Sequence, residues 1–245
     1  MKRAIIKKLQ TIIDVLNYPG LLGTIGKDVD RGFARELFFL RTTLGISLNT
    51  IIDVGAAEGA YTKAARFVFP EATIHAFEAI PESLERLRVW VGRDSKLHLY
   101  PFALGAEEKP MTFYRNEFSF SSSLLPMLER HKEVFPFTRN EHVVTVNCKR
   151  LDRFTELVIE KPALLKIDVQ GSELDVLRGA EKLLKDFDAV QLEVSFESFY
   201  QGQASYDDVL SYMKKMGFGS FVQVDPQYSK TKPPKLYYCD LVFLR

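Results

Sequence analysis

The sequence predicts an α/β domain over residues 49–245, built on a mostly parallel sheet, behind a helical extension over residues 1–48. Three observations carry that reading. From residue 49, short β-branched runs alternate with helical patterns, and such alternation implies right-handed crossovers between parallel strands. Before residue 49, apolar residues recur at helical spacing only. After Gly217, the runs 218–224 and 236–244 read as a closing hairpin, joined by a basic, Pro-rich loop containing Lys230, Lys232, Pro233, Pro234 and Lys235.

In chain order, Ile5, Leu9, Ile12, Ile13 and Leu16 predict a helix over 4–16, with Lys2, Arg3, Lys7 and Lys8 at its start and Tyr18-Pro19-Gly20 ending it. Phe33, Leu37, Leu40 and Leu44 predict a second helix over 30–44. TIIDVG (50–55) is a strand, 59–68 a helix, and ATIHAFE (72–78) a strand. Pro81 opens a helix to about residue 91, since its missing N–H costs nothing at the first helical position. KLHLYPFALG (96–105) follows as the third strand region. PMTFYRN (110–116) and EHVVTVNC (141–148) read as paired strands at the sheet's margin. The connection between them, 117–140, is rich in Ser and Phe and long enough to suggest a task of its own. ALLKIDV (163–169) is a strand, and Ser172 is placed to cap a helix running to about Leu184. DAVQLEV (188–194) is a strand, and 205–216 a helix.

A chain of 245 residues with 46% hydrophobic and 12% aromatic content suits a globular core and argues against disorder. A net charge of +1 argues against a nucleic-acid partner, whose binding surface is strongly basic. Two well-separated cysteines, Cys148 and Cys239, form neither a disulfide framework nor a zinc spacing, and fit a reducing, cytoplasmic compartment. No apolar run approaches the ~18 residues of a membrane span. The first 18 residues lack the small-residue cleavage site of a signal peptide. Their basic helix suits packing on the domain, self-association into a homo-oligomer, or membrane-surface contact.

In an open α/β sheet, ligands bind beyond the carboxyl ends of the strands. The first strand ends in Asp53 and then the loop Gly55–Gly59, where glycine lets the backbone approach a ligand and the next helix offers free N–H groups. The dinucleotide fingerprint G-x-G-x-x-G would add a middle glycine to admit a pyrophosphate; Gly55-x-x-x-Gly59 lacks it, which favours a ligand without phosphates. Glu78, 19 residues past Gly59, ends the second strand and suits a ribose diol, as in both dinucleotide and S-adenosylmethionine sites. Ala103-Leu104-Gly105 can let an adenine ring lie flat against backbone.

IIDVGAAEGAYT (51–62), AFEAIPESLERL (76–87), PFALG (101–105), LLKIDVQGSELDVLRG (164–179) and QLEVSFESFY (191–200) together resemble the FkbM family of S-adenosylmethionine-dependent methyltransferases. KIDVQGSE is the most specific part, and the resemblance runs from about residue 49 to the end. It implies a Rossmann-like class I methyltransferase fold, with a seven-stranded mixed sheet whose last strand is antiparallel. It implies S-adenosylmethionine as cofactor and O-methylation of a sugar, polyketide or other small molecule, so that the partner is a small-molecule or glycan acceptor. The family's cofactor positions fall on Asp53, Gly55, Gly59 and Glu78, with Ala56 and Tyr61 in the same loop and helix start, and Ala103 after the third strand.

Lys166 and Asp168 share one face of the fourth strand, and two charges on a core strand need compensation. An ion pair of Lys166 with Asp168 or Glu173 would fix the strand–helix turn. In the functional reading, Asp168 faces the acceptor hydroxyl, with Lys166 or Glu193 assisting. Asp168 and Glu193 lie at adjacent strand ends, where two carboxylates can hold Mg²⁺ or one can serve as general base. Glu173 gains from the helix dipole whatever its role. His131 and His142 flank the long connection and are further candidate bases; Ser119, Ser121, Ser122 and Ser123 can offer hydroxyls to a polyol. His75 and His98 read as structural. Two other readings compete. An NAD-dependent oxidoreductase would want the absent middle glycine and a Tyr/Lys or His proton donor. A non-catalytic module would keep the fold to bind S-adenosylmethionine or a protein, against which an intact KIDVQGSE argues.

Overall fold

The computed structural model describes residues 12–245. The start of the first predicted helix, with Ile5, Leu9 and its basic residues, lies outside them; 12–17 are helical. Ten strands follow in chain order: β1 Thr50–Val54, β2 Thr73–Phe77, β3 Leu97–Tyr100, β4 Ala103–Leu104, β5 Lys109–Asn116, β6 Glu141–Lys149, β7 Ala163–Ile167, β8 Ala189–Ser195, β9 Ser220–Tyr228 and β10 Leu236–Leu244. Seven build one sheet in the order β3-β2-β1-β7-β8-β10-β9. β1 pairs in parallel with both β2 and β7, whereas β10, the last strand of the chain, runs antiparallel to β8 and β9. This is the seven-stranded mixed sheet with an antiparallel last strand that the resemblance implies.

Several stretches differ from the sequence expectation, among them the helix after Ser172, which ends at Gly179 and not near Leu184. Residues 96–105 do not form one strand: β3 stops at Tyr100, and β4 joins a second, three-stranded sheet ordered β4-β6-β5. Pro101 stands at the break, where its missing N–H cannot continue a ladder. The β5–β6 pair therefore forms a sheet of its own and does not extend the margin of the large one. The 117–140 connection is not structureless. It carries a short helix, Glu129–Val134, between 3₁₀ turns at Ser119–Ser121 and Pro136–Thr138.

Period-2 alternation splits the large sheet into two faces. Ile52, Val54, Leu165, Ile167, Val190 and Leu192 pack on one side with helices Glu173–Gly179 and Tyr206–Lys215. Ile51, Leu164, Ala189 and Val242 pack on the other. That second face is covered by helix Ala60–Val68 and by helix Arg31–Phe38 of the extension. Asp30 caps the latter, its Oδ1 accepting from the N–H groups of Gly32 and Phe33 at 2.8 and 3.1 Å. Ala34, Leu37 and Leu40 lie in the same apolar cluster as Ile51, Tyr61 and Val68, so the extension completes this layer of the core. The 12–17 helix packs on it through Val15, while Ile12, Ile13 and Leu16 are exposed.

The covered face is not wholly apolar. Toward the strand ends Asp53, Lys166 and Gln191 stand side by side in register across β1, β7 and β8. Gln191 has no exposure; its Nε2 donates to Glu36 Oε2 (3.1 Å) and Asp240 Oδ2 (2.9 Å), and its Oε1 accepts from the Tyr61 hydroxyl (3.0 Å). One amide thus holds two carboxyls, one from the extension and one from the last strand. Burial pushes Glu36 up to about 8, helped by the charges of Asp240 and Asp225 and opposed by Gln191 and Arg35. Burial and the charge of Asp168 likewise raise Asp240 to about 6.

A carboxyl whose pKa is higher in the folded state stabilises the fold fully below its unfolded value and loses that contribution as pH rises through its folded value. Stability should therefore fall between about pH 4.5 and 8. Glu36→Gln, which keeps an acceptor for Gln191 but carries no charge, should raise the melting temperature at pH 8.5 by about 2 °C or more and leave it unchanged at pH 4.5. Calorimetric melts of both proteins across that range would show it.

Candidate active site

At the carboxyl ends of β1, β2 and β7 a cavity of about 410 Å³ opens, with Gly55, Glu78 and Asp168 on its floor and Phe102 and Leu104 on one wall. Its far side comes from the second sheet and the long connection, through Asn116, Phe120, Ser122 and His142.

Sharp backbone geometry shapes the floor. Gly55 has φ +78°, and a Cβ there would lie 2.0 Å from the Asp168 carbonyl oxygen, so only glycine lets the first loop pass over the end of β7. The Asp168 N–H donates to Val54 O at 3.0 Å from the other direction. Gly55 and Ala56 both donate to Phe77 O, at 3.1 and 3.0 Å, which ties the same loop to β2.

Glu78 closes this arrangement. Its Oε2 accepts from Ala57 N at 2.8 Å and its Oε1 from Ile80 N at 2.6 Å. Burial pushes its pKa up, while the two N–H donors pull it down. The carboxylate is 7% exposed and faces the cavity, already oriented by main chain. On the next wall Arg86 pairs with Glu58, and Arg115 with Glu82 at 3.0 Å, so the rim carries balanced charge.

Asp168 is part-exposed and held at both oxygens: Gln170 Nε2 donates to Oδ1 at 2.7 Å, and Lys166 Nζ lies 3.7 Å from Oδ2. Lys166 itself is buried beneath the floor, 3.1 Å from Asp53 Oδ1. Burial works against its ammonium, but Asp53 and Asp168 more than offset this and hold its pKa above that of an ordinary lysine. Glu173 does not reach Lys166. Its Oε1 accepts from Val169 N (3.2 Å) and Gly171 N (3.0 Å), and burial raises it to about 7. Ser172 stands at the N-cap, but its hydroxyl points back to Val169 O at 3.3 Å; Glu173 satisfies the turn instead.

Of the residues singled out from sequence, the cavity brings together Gly55, Glu78, Ala103 and Asp168. Asp53 lies below it, with no exposure: Thr62 Oγ1 donates to its Oδ2 at 2.6 Å and Lys166 takes the other oxygen. Tyr61 is buried under Lys166, whose ammonium sits 5.1 Å from its ring centre. Ala56 and Gly59 shape the loop without lining the cavity; a Cβ on Gly59 would meet Leu87 at 2.3 Å. Glu193 is beside Asp240 in register and does not line the cavity either. Burial and the charges of Asp168, Glu173 and Asp240 push its pKa well above the usual carboxylate range. No Mg²⁺ site is shown at the Asp168–Glu193 pair, the possible metal pair of the sequence reading: among the described residues no three His, Cys, Asp or Glu side chains are grouped to bind an ion. His142 lines the cavity. His131 does not; it is packed against Phe135, Phe199 and Tyr200, bonded to Thr138, and lowered to about 4 by burial. Sequence reasoning missed Phe102, Arg86, Arg115 and Gln170. Only Phe102 had a legible signal, the strand-breaking Pro101 before it.

The Gly55 contact can be separated from its dihedral. Gly26 has φ +74° with nothing within 4 Å of a built Cβ. Gly26→Ala should cost about 1 kcal/mol of backbone strain, and Gly55→Ala about 3 kcal/mol or more because the clash with Asp168 is added. Urea denaturation of both variants measures the difference.

A family model described as the methyltransferase FkbM domain matches residues 53–219. The 2-O-methyltransferase NoeI of Sinorhizobium fredii is 25% identical over 171 residues, covering 66% of this chain and 70% of that protein. The 31-O-demethyl-FK506 methyltransferase FkbM of Streptomyces tacrolimicus is 25% identical over 257 residues, covering 91% of this chain and 96% of that one. Among solved structures, the N-terminal domain of human METTL16 in complex with SAH aligns with a TM-score of 0.47 at 8% identity, covering 88% of this chain and 70% of that chain. With a cavity at the strand ends, a glycine loop beneath it and a family match across more than half its length, this chain belongs to the FkbM family and is a methyltransferase.

Proposed function

We propose that the protein transfers the methyl group of S-adenosylmethionine to a hydroxyl oxygen of a small molecule, a sugar or polyol-like acceptor, free or within a glycan. The observation that carries this reading is Glu78. Each of its oxygens already accepts one backbone N–H, and each retains a lone pair toward the cavity, the arrangement a vicinal ribose diol needs. Phe102 and Leu104 supply an apolar wall for a purine beside it. The residues present thus fit an adenosine-containing cofactor, held by Glu78, the Gly55 loop and the Ala103 backbone.

When bound, S-adenosylmethionine supplies a methyl carbon already activated by its sulfonium. The chain's work is then to align the acceptor and take a proton. Asp168 is the cavity carboxylate placed to accept a hydrogen bond from the acceptor hydroxyl and then its proton. The acceptor side is formed by the long connection. Asn116 is spent on folding it, donating to Thr138 O (2.6 Å) and accepting from Phe118 N (2.9 Å). Phe120 lines the cavity, and Phe118 and Phe137 extend it into a cluster, with ring centres 5.4 and 5.1 Å apart in sequence. These three rings are 42%, 43% and 61% exposed respectively, a costly display unless something stacks on it. The C–H face of a sugar ring would suit them, with Ser119, Ser122 and His142 facing its hydroxyls. The names of both relatives, a 2-O-methyltransferase and a 31-O-demethyl-FK506 methyltransferase, support oxygen as the acceptor atom.

Titration calorimetry should show S-adenosylhomocysteine binding, with NAD far weaker. Glu78→Ala should weaken that binding about 10- to 100-fold, the worth of about one hydrogen bond to a charged group. Transfer of labelled methyl from S-adenosylmethionine to a panel of glycans and polyols should be lost in Asp168→Ala, with cofactor affinity retained. Equal binding by Glu78→Ala, or a preference for NAD, would overturn the cofactor assignment.

A further inference from the structure

Asp168 is oriented by Gln170, and Gln170 is a strained residue. Its φ is +56°, a left-handed conformation rarely adopted by a side chain of this kind, and Gly171 follows at +101°. Such strain persists only where the surroundings enforce it. Here the enforcing group is Tyr200, which lies 30 residues downstream, beyond the end of β8. Its ring lies against Gly171, where a Cβ would come within 3.0 Å of it. Its hydroxyl donates to Gln170 Oε1 at 2.9 Å. The Gln170 carbonyl is held as well, accepting from Ser123 Oγ at 2.7 Å.

The polarity of this chain is fixed. An ionised carboxylate only accepts, so the amide must turn its NH₂ toward Asp168 and its oxygen toward Tyr200. A phenol in that place must then donate. Tyr200 is 2% exposed, and burial, with Glu193, Glu173 and Asp168 nearby, keeps its hydroxyl protonated. Without the phenol the Gln170 oxygen would lose its side-chain donor, and the strained side chain would be held in place by Asp168 alone.

We infer that Tyr200 is a positioning residue for methyl transfer, acting through the Gln170 amide to hold the Asp168 carboxylate in the cavity. The inference rests on the reading of Asp168 as the acceptor-side carboxylate. It also joins the acceptor side to the floor. The segment bearing Tyr200 is tied to the long connection by the Met127–Tyr200 bridge and by Gln201 N donating to Pro126 O at 2.9 Å. The same connection supplies Ser123 to Gln170. Seating of the connection and orientation of Asp168 are therefore one event.

The test has two arms. In crystals of Tyr200→Phe, Gln170 Nε2 should leave hydrogen-bond distance of Asp168 Oδ1; an unmoved Gln170–Asp168 pair would overturn the inference. In turnover with whichever panel acceptor the wild type methylates best, Tyr200→Phe and Gln170→Ala should each lower kcat about tenfold, with the KM for S-adenosylmethionine within about twofold. The double variant should be no slower than Gln170→Ala alone, because both changes break one chain of contacts. Multiplying losses, or a matching rise in the cofactor KM, would mark Tyr200 as merely structural. If the wild type methylates nothing in the panel, the acceptor assignment falls while the crystallographic arm still decides the role of Tyr200.

Discussion

The site depends on one buried ion pair. Lys166 and Asp53 face each other across β7 and β1, 3.1 Å apart and almost without exposure. Burying either charge alone would be prohibitive, and a buried pair repays its desolvation only when further partners complete it. Those partners are present: Thr62 on Asp53, the Tyr61 ring under the ammonium, and Asp168 at 3.7 Å. They come from two places: Tyr61 and Thr62 from the first turn of the helix after β1, and Asp168 from the end of β7. The pair thus fixes the relative height of the two strand ends that form the cavity floor. Asp168 is the one member of this group with a face to solvent, so the buried charge surfaces in the cavity.

The extension belongs to the same electrostatic unit. Gln191, one strand further along, binds Glu36 from the extension and Asp240 from β10 through a single NH₂ group. The sheet's second face therefore carries a polar row that the extension both covers and completes. An apolar lid would have left one hydrogen of the Gln191 amide without its partner inside the core, which costs more than the bond itself gains. Covering the row with a carboxyl solves that problem but makes the cover sensitive to its own ionisation.

Most of the fold was legible because its signals are local. The ends of β1 and β2, the helix opened by Pro81 and the closing hairpin can all be read from spacing, turn residues and β-branched runs. Gly55 and Glu78 were legible for the same reason: they follow strands, and strand ends point at ligands in this architecture. What could not be read depends on the third dimension. Sequence alternation places Lys166 and Asp168 on one face, but does not show Asp53 opposite them, where Thr62 and Lys166 meet its oxygens. Glu193 reads as Asp168's neighbour, but it stands opposite Asp240 and does not line the cavity. The β5–β6 pair reads as a margin because nothing local shows that Pro101 diverts the chain into a second sheet.

Gln170 and Tyr200 show why the acceptor side resists reading more than the cofactor side. The cofactor floor is made by loops a few residues long, each following its own strand, so position in the sequence predicts position in space. The acceptor side is made where three distant segments meet: the turn after β7, the exit of β8 and the connection between β5 and β6. Ser123 and Tyr200 reach Gln170 across separations of 47 and 30 residues. A connection anchored so firmly at its inner edge can vary at its outer edge, where Phe118, Phe120 and Phe137 lie, without disturbing Asp168. This arrangement lets the outer edge change while the Gln170–Asp168 contact is kept. It follows from where the hydrogen bonds are concentrated, not from the length of the connection.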